Sequence, residues 1–249
     1  MKKIILAATA ASTFAMAAHA ADINICVEGA YPPFSMTDAS GDVVGFDIDI
    51  ANALCDVMGN SCEMLKTDWD GIIPALLEGK CDAIVASMSI TEERRQVIDF
   101  SAKYYNTPAR FIGADGMTEG DLEGKVVGVQ RGTIHQDFME GEFPNIELRL
   151  YGSQDEVYLD LTAGRIDAAM ADSIAMLDGF LNTDAGEGYA FFGESYSIPK
   201  YHGNGAGIGV RQGEEELRDA FSAAIATIRE NGTYAEINDE YFAFDIYGG

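Results

Sequence analysis

The sequence predicts an α/β protein built of two similar units, and three observations carry that reading. Strand-like apolar runs alternate with helix-periodic segments, the cycle occurs twice, and a proline-marked extended stretch separates the two occurrences. In the first cycle, residues 23–28 form a strand, 46–58 a helix, 62–66 a strand, 69–79 a helix and 83–86 a strand. In the second, strands at 125–130, 146–151 and 168–171 alternate with helices that start near Ile134 and Gln154. Strands joined through crossover helices run parallel in one sheet. Between the cycles, residues 104–110 leave the first unit at Pro108, which has no N–H to give to a sheet ladder.

Two late segments complete the pattern. Residues 203–209 carry alternating glycines, without the spacing of a dinucleotide loop and without the Lys-Ser/Thr pair of a phosphate loop. They read as a close-packed extended strand returning toward the first unit. Residues 214–230 form an amphipathic helix with Leu217, Phe221, Ala224, Ile225 and Ile228 on one face.

The chain opens with Lys2 and Lys3, an apolar stretch, and Ala18-His19-Ala20 before Ala21. This is the layout of a cleaved secretory leader, residues 1–20, and it is shorter than a membrane span. Cleavage leaves 229 of the 249 residues, enough for a sizeable core in one or two domains. No Cys stands at the cleavage point, so a freely soluble exported protein is expected rather than a lipid-anchored one. The formal charge is −25, and removal of the leader with its two lysines makes it −27. A field of that sign repels nucleic acid and anionic lipid, and reads as a solubilising surface. Four cysteines follow the leader, Cys26, Cys55, Cys62 and Cys81, and an even number in an exported chain reads as disulfides. Cys55 and Cys62 are close enough for a local pairing. Cys26 and Cys81 form either a second bridge or two buried thiols on neighbouring strands.

Little in the mature chain suggests catalysis. Only His135 and His202 remain, and no nucleophile elbow is present, so no catalytic residue, metal or cofactor is expected. The informative places are polar clusters at the carboxyl ends of strands, where open α/β sheets bind ligands. Glu28 and Tyr31 follow the first strand at a proline-stiffened turn and offer a carboxylate beside a flat apolar wall. Trp69 opens a helix and supplies either another wall or core packing. Ser87 and Ser89 precede a helix starting near Thr91, with Arg94 one turn in, and hydroxyls, free N–H groups and a forked guanidinium suit a carboxylate. Gln130, Thr133 and Ile134 surround Gly132 at a strand-to-helix turn whose N–H groups face the same way. Asp172 ends another strand and either pairs with an ammonium or caps the next helix.

These blocks together resemble the polar amino-acid family of bacterial periplasmic binding proteins, near its lysine/arginine/ornithine and histidine binders. The matching segments include 31–34, 45–49, 82–84, 87–94, 128–130, 161–168 and 241–248, in order along the whole mature chain. The resemblance implies a two-lobed clamp of type II with two crossover strands as hinge. Lobe 1 comprises 21–105 with 206–249, lobe 2 comprises 110–196, and 106–109 and 197–205 are the crossings. It implies that Arg94 and the N–H groups of Ser89 and Ile134, beside Thr133, hold the ligand carboxylate. Ser87, Ser89 and Asp172 receive the α-ammonium, Tyr31 and Trp69 sandwich the side chain, and Glu28 meets a distal cation. Cys55 and Cys62 match the family's short disulfide. Departures fall at Ala86, where several relatives have Ser, at Glu28, where they have Asp, and at Gln130, a variable pocket position.

The implied function is binding of arginine, lysine or ornithine for an ABC-type importer, with its permease in the inner membrane as partner and the binding protein a periplasmic monomer. Histidine or an arginine-derived opine is the alternative ligand. A dehydratase on the same scaffold is a remote rival, since both acids are assigned to cations and no spare acid–base group is apparent.

Overall fold

The computed structural model describes residues 22–248, and the expected leader lies outside them. The first strand, β1 (Asp22–Val27), buries Ile25, Cys26 and Val27 in succession, as a central strand covered on both faces requires. A small antiparallel sheet follows, made of β2 (Ala30–Tyr31), β3 (Ser35–Thr37) and β4 (Val43–Val44). Helix α1 (Phe46–Met58) starts at Gly45, φ 129°, where a Cβ would lie 2.5 Å from the Phe34 carbonyl oxygen. Then come β5 (Ser61–Lys66), α2 (Trp69–Leu77), β6 (Ala83–Ile84), the single turn α3 (Glu92–Arg95) and the long strand β7 (Ile98–Tyr105).

Past Pro108 the chain enters a second sheet with β8 (Ala109–Ala114). It continues through β9 (Val126–Gln130), α4 (Ile134–Glu142), β10 (Glu147–Tyr151), α5 (Gln154–Thr162), β11 (Ala168–Asp172), α6 (Ser173–Met176) and β12 (Tyr189–Tyr196). The short α7 (Pro199–His202) leads back to β13 (Ala206–Arg211) in the first sheet, and α8 (Glu215–Glu230) and α9 (Thr233–Tyr241) end the fold.

The sheets have the orders β5-β1-β6-β13-β7 and β10-β9-β11-β8-β12. Helix-connected strands are parallel, as the alternation predicts, with β1 beside β5 and β6, and β9 beside β10 and β11. Strands β13 and β8 instead run antiparallel to their neighbours. The reason is that both arrive directly from the other sheet and so enter at the carboxyl ends of the helix-connected strands. This is the type II two-lobed binding-protein architecture.

Each lobe has its own core. In the first, Phe34 stacks on Tyr105 at 4.7 Å and meets Phe46 edge-on, with Phe242 closing the cluster. Burying an aromatic of this size contributes roughly 1.5–3 kcal/mol. Helix α8 buries Phe221, Ala224, Ile225 and Ile228, four of the five residues on its expected apolar face. Disulfides join Cys55 to Cys62 and Cys26 to Cys81, so the second pair is a bridge and not two thiols. Among the described residues, no helix is long and apolar enough to cross a membrane.

Candidate binding cleft

The carboxyl ends of β1, β6, β9 and β11 point into one cleft between the sheets, with about 610 Å³ of atom-free space including its mouth. Glu28, Tyr31, Trp69, Ser87, Ser89, Arg94, Gln130, Thr133, Ile134 and Asp172 all line it.

At one pole stands Arg94. Thr91 caps α3 by accepting the Arg94 N–H, which fixes the turn that carries the guanidinium. The guanidinium donates to the carbonyls of Ser89 (3.0 Å) and Gly132 (3.2 Å) and lies 5.3 Å from the Trp69 ring. Burial pulls its pKa down to about 10, so it remains a cation at neutral pH. The first turn of α4 faces the same region. Thr133 caps it, and the N–H of Ile134, at the helix start, lies outside the i to i−4 ladder. The Trp69 indole N–H also donates to Gly132, so lobe 1 grips the turn before α4 twice.

Asp172 stands at the end of β11. It caps α6, accepting the N–H groups of Ile174 (2.8 Å) and Ala175 (3.3 Å), and it accepts the Thr107 hydroxyl as well. The capping reading therefore holds, and the acid also lines the cleft. Burial pushes its pKa up to about 6, against those hydrogen bonds. Ser87 is the one described non-glycine residue with positive φ, 53°. Its hydroxyl donates to Asp47 at 2.9 Å, its N–H to the Tyr104 hydroxyl at 2.9 Å, and Tyr104 in turn donates to Asp47 at 2.8 Å. This closed triangle of Ser87, Tyr104 and Asp47 holds Ser87 in place. Ser89 is held by an antiparallel bridge to Ala206.

At the far end, Glu28 is 6% exposed and accepts the Gln130 amide N–H at 2.6 Å, across the lobes. Burial raises its pKa to about 7, the Gln130 bond opposes this, and Asp155, Asp47 and Asp68 add to the rise. Tyr31, Trp69 and Tyr105 are aromatic residues of the lining. At the mouth, Arg131 and Asp70 pair across the lobes at 2.5 Å, both half exposed.

Sequence reasoning passed over several residues. Tyr105 lines the cleft from the end of β7, and Asn106, Thr107 and Gly205 from the crossings, where no motif marks them. Asp47 had a signal, an acid between Phe46 and Ile48 on the buried side of a helix. His135 and His202 both line the cleft with ring centroids 6.4 Å apart. Burial pulls His135 down to about 3, helped by His202 and Arg94, and burial also lowers His202. Both rings are therefore neutral at neutral pH, and Arg94 is the cation of this pole.

A cleft between two lobes, lined by one guanidinium and two acids, fits a solute-binding protein. Residues 23–244 match the bacterial extracellular solute-binding proteins, family 3, and the chain belongs to that family. It is 48% identical to the L-arginine-binding protein of Pseudomonas aeruginosa, covering 100% of this chain and 99% of the relative. It is 41% identical to the lysine/arginine/ornithine-binding periplasmic protein of Escherichia coli, covering both in full. A solved Salmonella typhimurium periplasmic binding protein, described as having high arginine specificity, superposes with a TM-score of 0.84 at 32% identity, covering 90% of this chain and 100% of that one. The family is a transport component, and these relatives are binding proteins rather than enzymes.

Proposed function

We propose that this protein is the periplasmic binding component of an ABC-type importer for a cationic L-amino acid, arginine, lysine or ornithine. The observation that carries the reading is the placement of Arg94, Asp172 and Glu28 around one cavity. Arg94 with the first turn of α4 takes the α-carboxylate, and Asp172 with Ser87 and Ser89 takes the α-ammonium. Glu28 is left needing a second cation, because an ionised buried carboxylate without one is costly. Tyr31 and Trp69 flank the aliphatic stem.

The segments 106–109 and 197–205 act as the hinge between lobe 1 (21–105 with 206–249) and lobe 2 (110–196). A ligand held from both lobes binds the closed form more tightly than the open one and so drives closure. The leader is removed on export, the mature protein is a soluble monomer, and its partner is the inner-membrane permease, not nucleic acid. Calorimetric titration of the mature protein with a panel of amino acids tests the proposal. Basic ligands bind and neutral or acidic ones bind far more weakly; the reverse order would sink it.

A further inference from the structure

The bonding of Gln130 leaves its side chain little freedom. The amide nitrogen donates to Glu28 Oε1 at 2.6 Å and to the Gly152 carbonyl at 3.2 Å. A primary amide has two N–H bonds, and both are committed. The Gly152 carbonyl has no hydrogen to give, so turning the amide over would set two oxygens against each other. The backbone is held as well, since the Thr133 hydroxyl donates to the Gln130 carbonyl at 2.7 Å. Gln130 is 3% exposed and lines the cleft, where the part of its amide left for a ligand is the oxygen. Glu28 has one carboxylate oxygen engaged by Gln130 and offers the other.

We propose that Glu28 and Gln130 form a two-acceptor fork that selects a planar guanidinium over a primary ammonium, making Gln130 the residue that ranks arginine above lysine and ornithine. The inference rests on the reading of the cleft as a basic amino-acid site and names the member it prefers. A guanidinium carries five N–H donors fixed in one plane, so it reaches two oxygens at once while its faces lie against Tyr31 and Trp69. An ammonium gathers its three donors at one nitrogen and has no flat face, so it meets both oxygens less well than a planar guanidinium whose donors are spread across two edges. Glu28 follows β1 and Gln130 ends β9, so the fork is complete only when the lobes meet, and a guanidinium therefore favours closure more than an ammonium does.

The test is calorimetric titration of the mature protein, of Gln130→Leu and of Gln130→Met with L-arginine, L-lysine and L-ornithine. Thermal melts of each variant establish that it is folded, and the near-isosteric Gln130→Met serves if the leucine variant is not. The parent binds arginine about tenfold or more tighter than lysine, the worth of roughly one charge-assisted hydrogen bond. Both variants shrink that ratio to about threefold or less, chiefly by weakening arginine. A parent without preference for arginine, or a folded variant that keeps the parent's ratio, overturns the role of Gln130. A parent that binds none of the three overturns the reading of the cleft itself.

Discussion

Lowering the pH from 8 to 6 weakens arginine binding by about twentyfold, and Glu28 accounts for most of the loss. Its pKa, raised to about 7 by burial, makes it about nine-tenths ionised at pH 8 and one-tenth ionised at pH 6. A cationic ligand needs the ionised form, so affinity is full above that pKa and falls as pH drops through it, by about tenfold here. Asp172, pushed up to about 6, is about half protonated at pH 6 and contributes a further factor of about two in the same direction. Arg94 and His135, which also line the cleft, leave the sign unchanged. Arg94, at about 10, stays charged, and His135, at about 3, stays neutral across the interval. Glu28→Gln keeps the shape and removes the charge. It weakens arginine binding at pH 8 by roughly 2–5 kcal/mol, because the distal cation loses its buried partner. It also flattens the pH profile to the factor of about two left by Asp172. Calorimetry in buffers of different ionisation enthalpy reads both quantities and detects the proton that Glu28 releases as arginine binds. A parent whose affinity is flat between pH 6 and 8, or a Glu28→Gln protein that retains the full slope, would refute the reasoning.

Three further outcomes are expected. Arg94→Ala weakens binding of every α-amino acid, whatever its side chain, by more than about thirtyfold, as for removal of one partner of a buried charge pair; titration with arginine and lysine checks this. Asp47→Asn disturbs the triangle that holds Ser87 and weakens arginine and lysine alike by about tenfold, leaving their order unchanged in the same titration. Removing the Cys26–Cys81 bridge by paired alanine substitution costs about 4 kcal/mol for its separation of 55 residues, and removing Cys55–Cys62 about 2 kcal/mol for its separation of 7. Denaturant unfolding compares the two, and an equal or reversed cost would show that loop closure is not the main source.

Burial lowers the pKa of both cleft histidines, and for His135 the neighbouring His202 and Arg94 lower it further.

Much of what depends on neighbours within a few residues was legible in the sequence, though the short strands β2 to β4 and helix α9 were not. The 3.6-residue spacing of Phe221, Ala224, Ile225 and Ile228 foretold the buried face of α8, and the apolar Ile23, Ile25, Cys26 and Val27 marked β1 as a strand. Polar residues at strand ends marked Arg94, Thr133 and Asp172 as cleft residues, because strand ends and helix starts are set locally and open sheets converge there. The tertiary structure alone decided which distant groups meet. Glu28 and Gln130 are 102 residues apart, Ser87 and Asp47 are 40 apart, and His135 and His202 meet through α4 and α7. The antiparallel entry of β8 and β13 and the Cys26–Cys81 bridge are of the same kind. The physical reason is that hydrophobic period and capping act over one or two turns, whereas these contacts are made by strand order and lobe closure, which leave no mark in the residues that flank each partner.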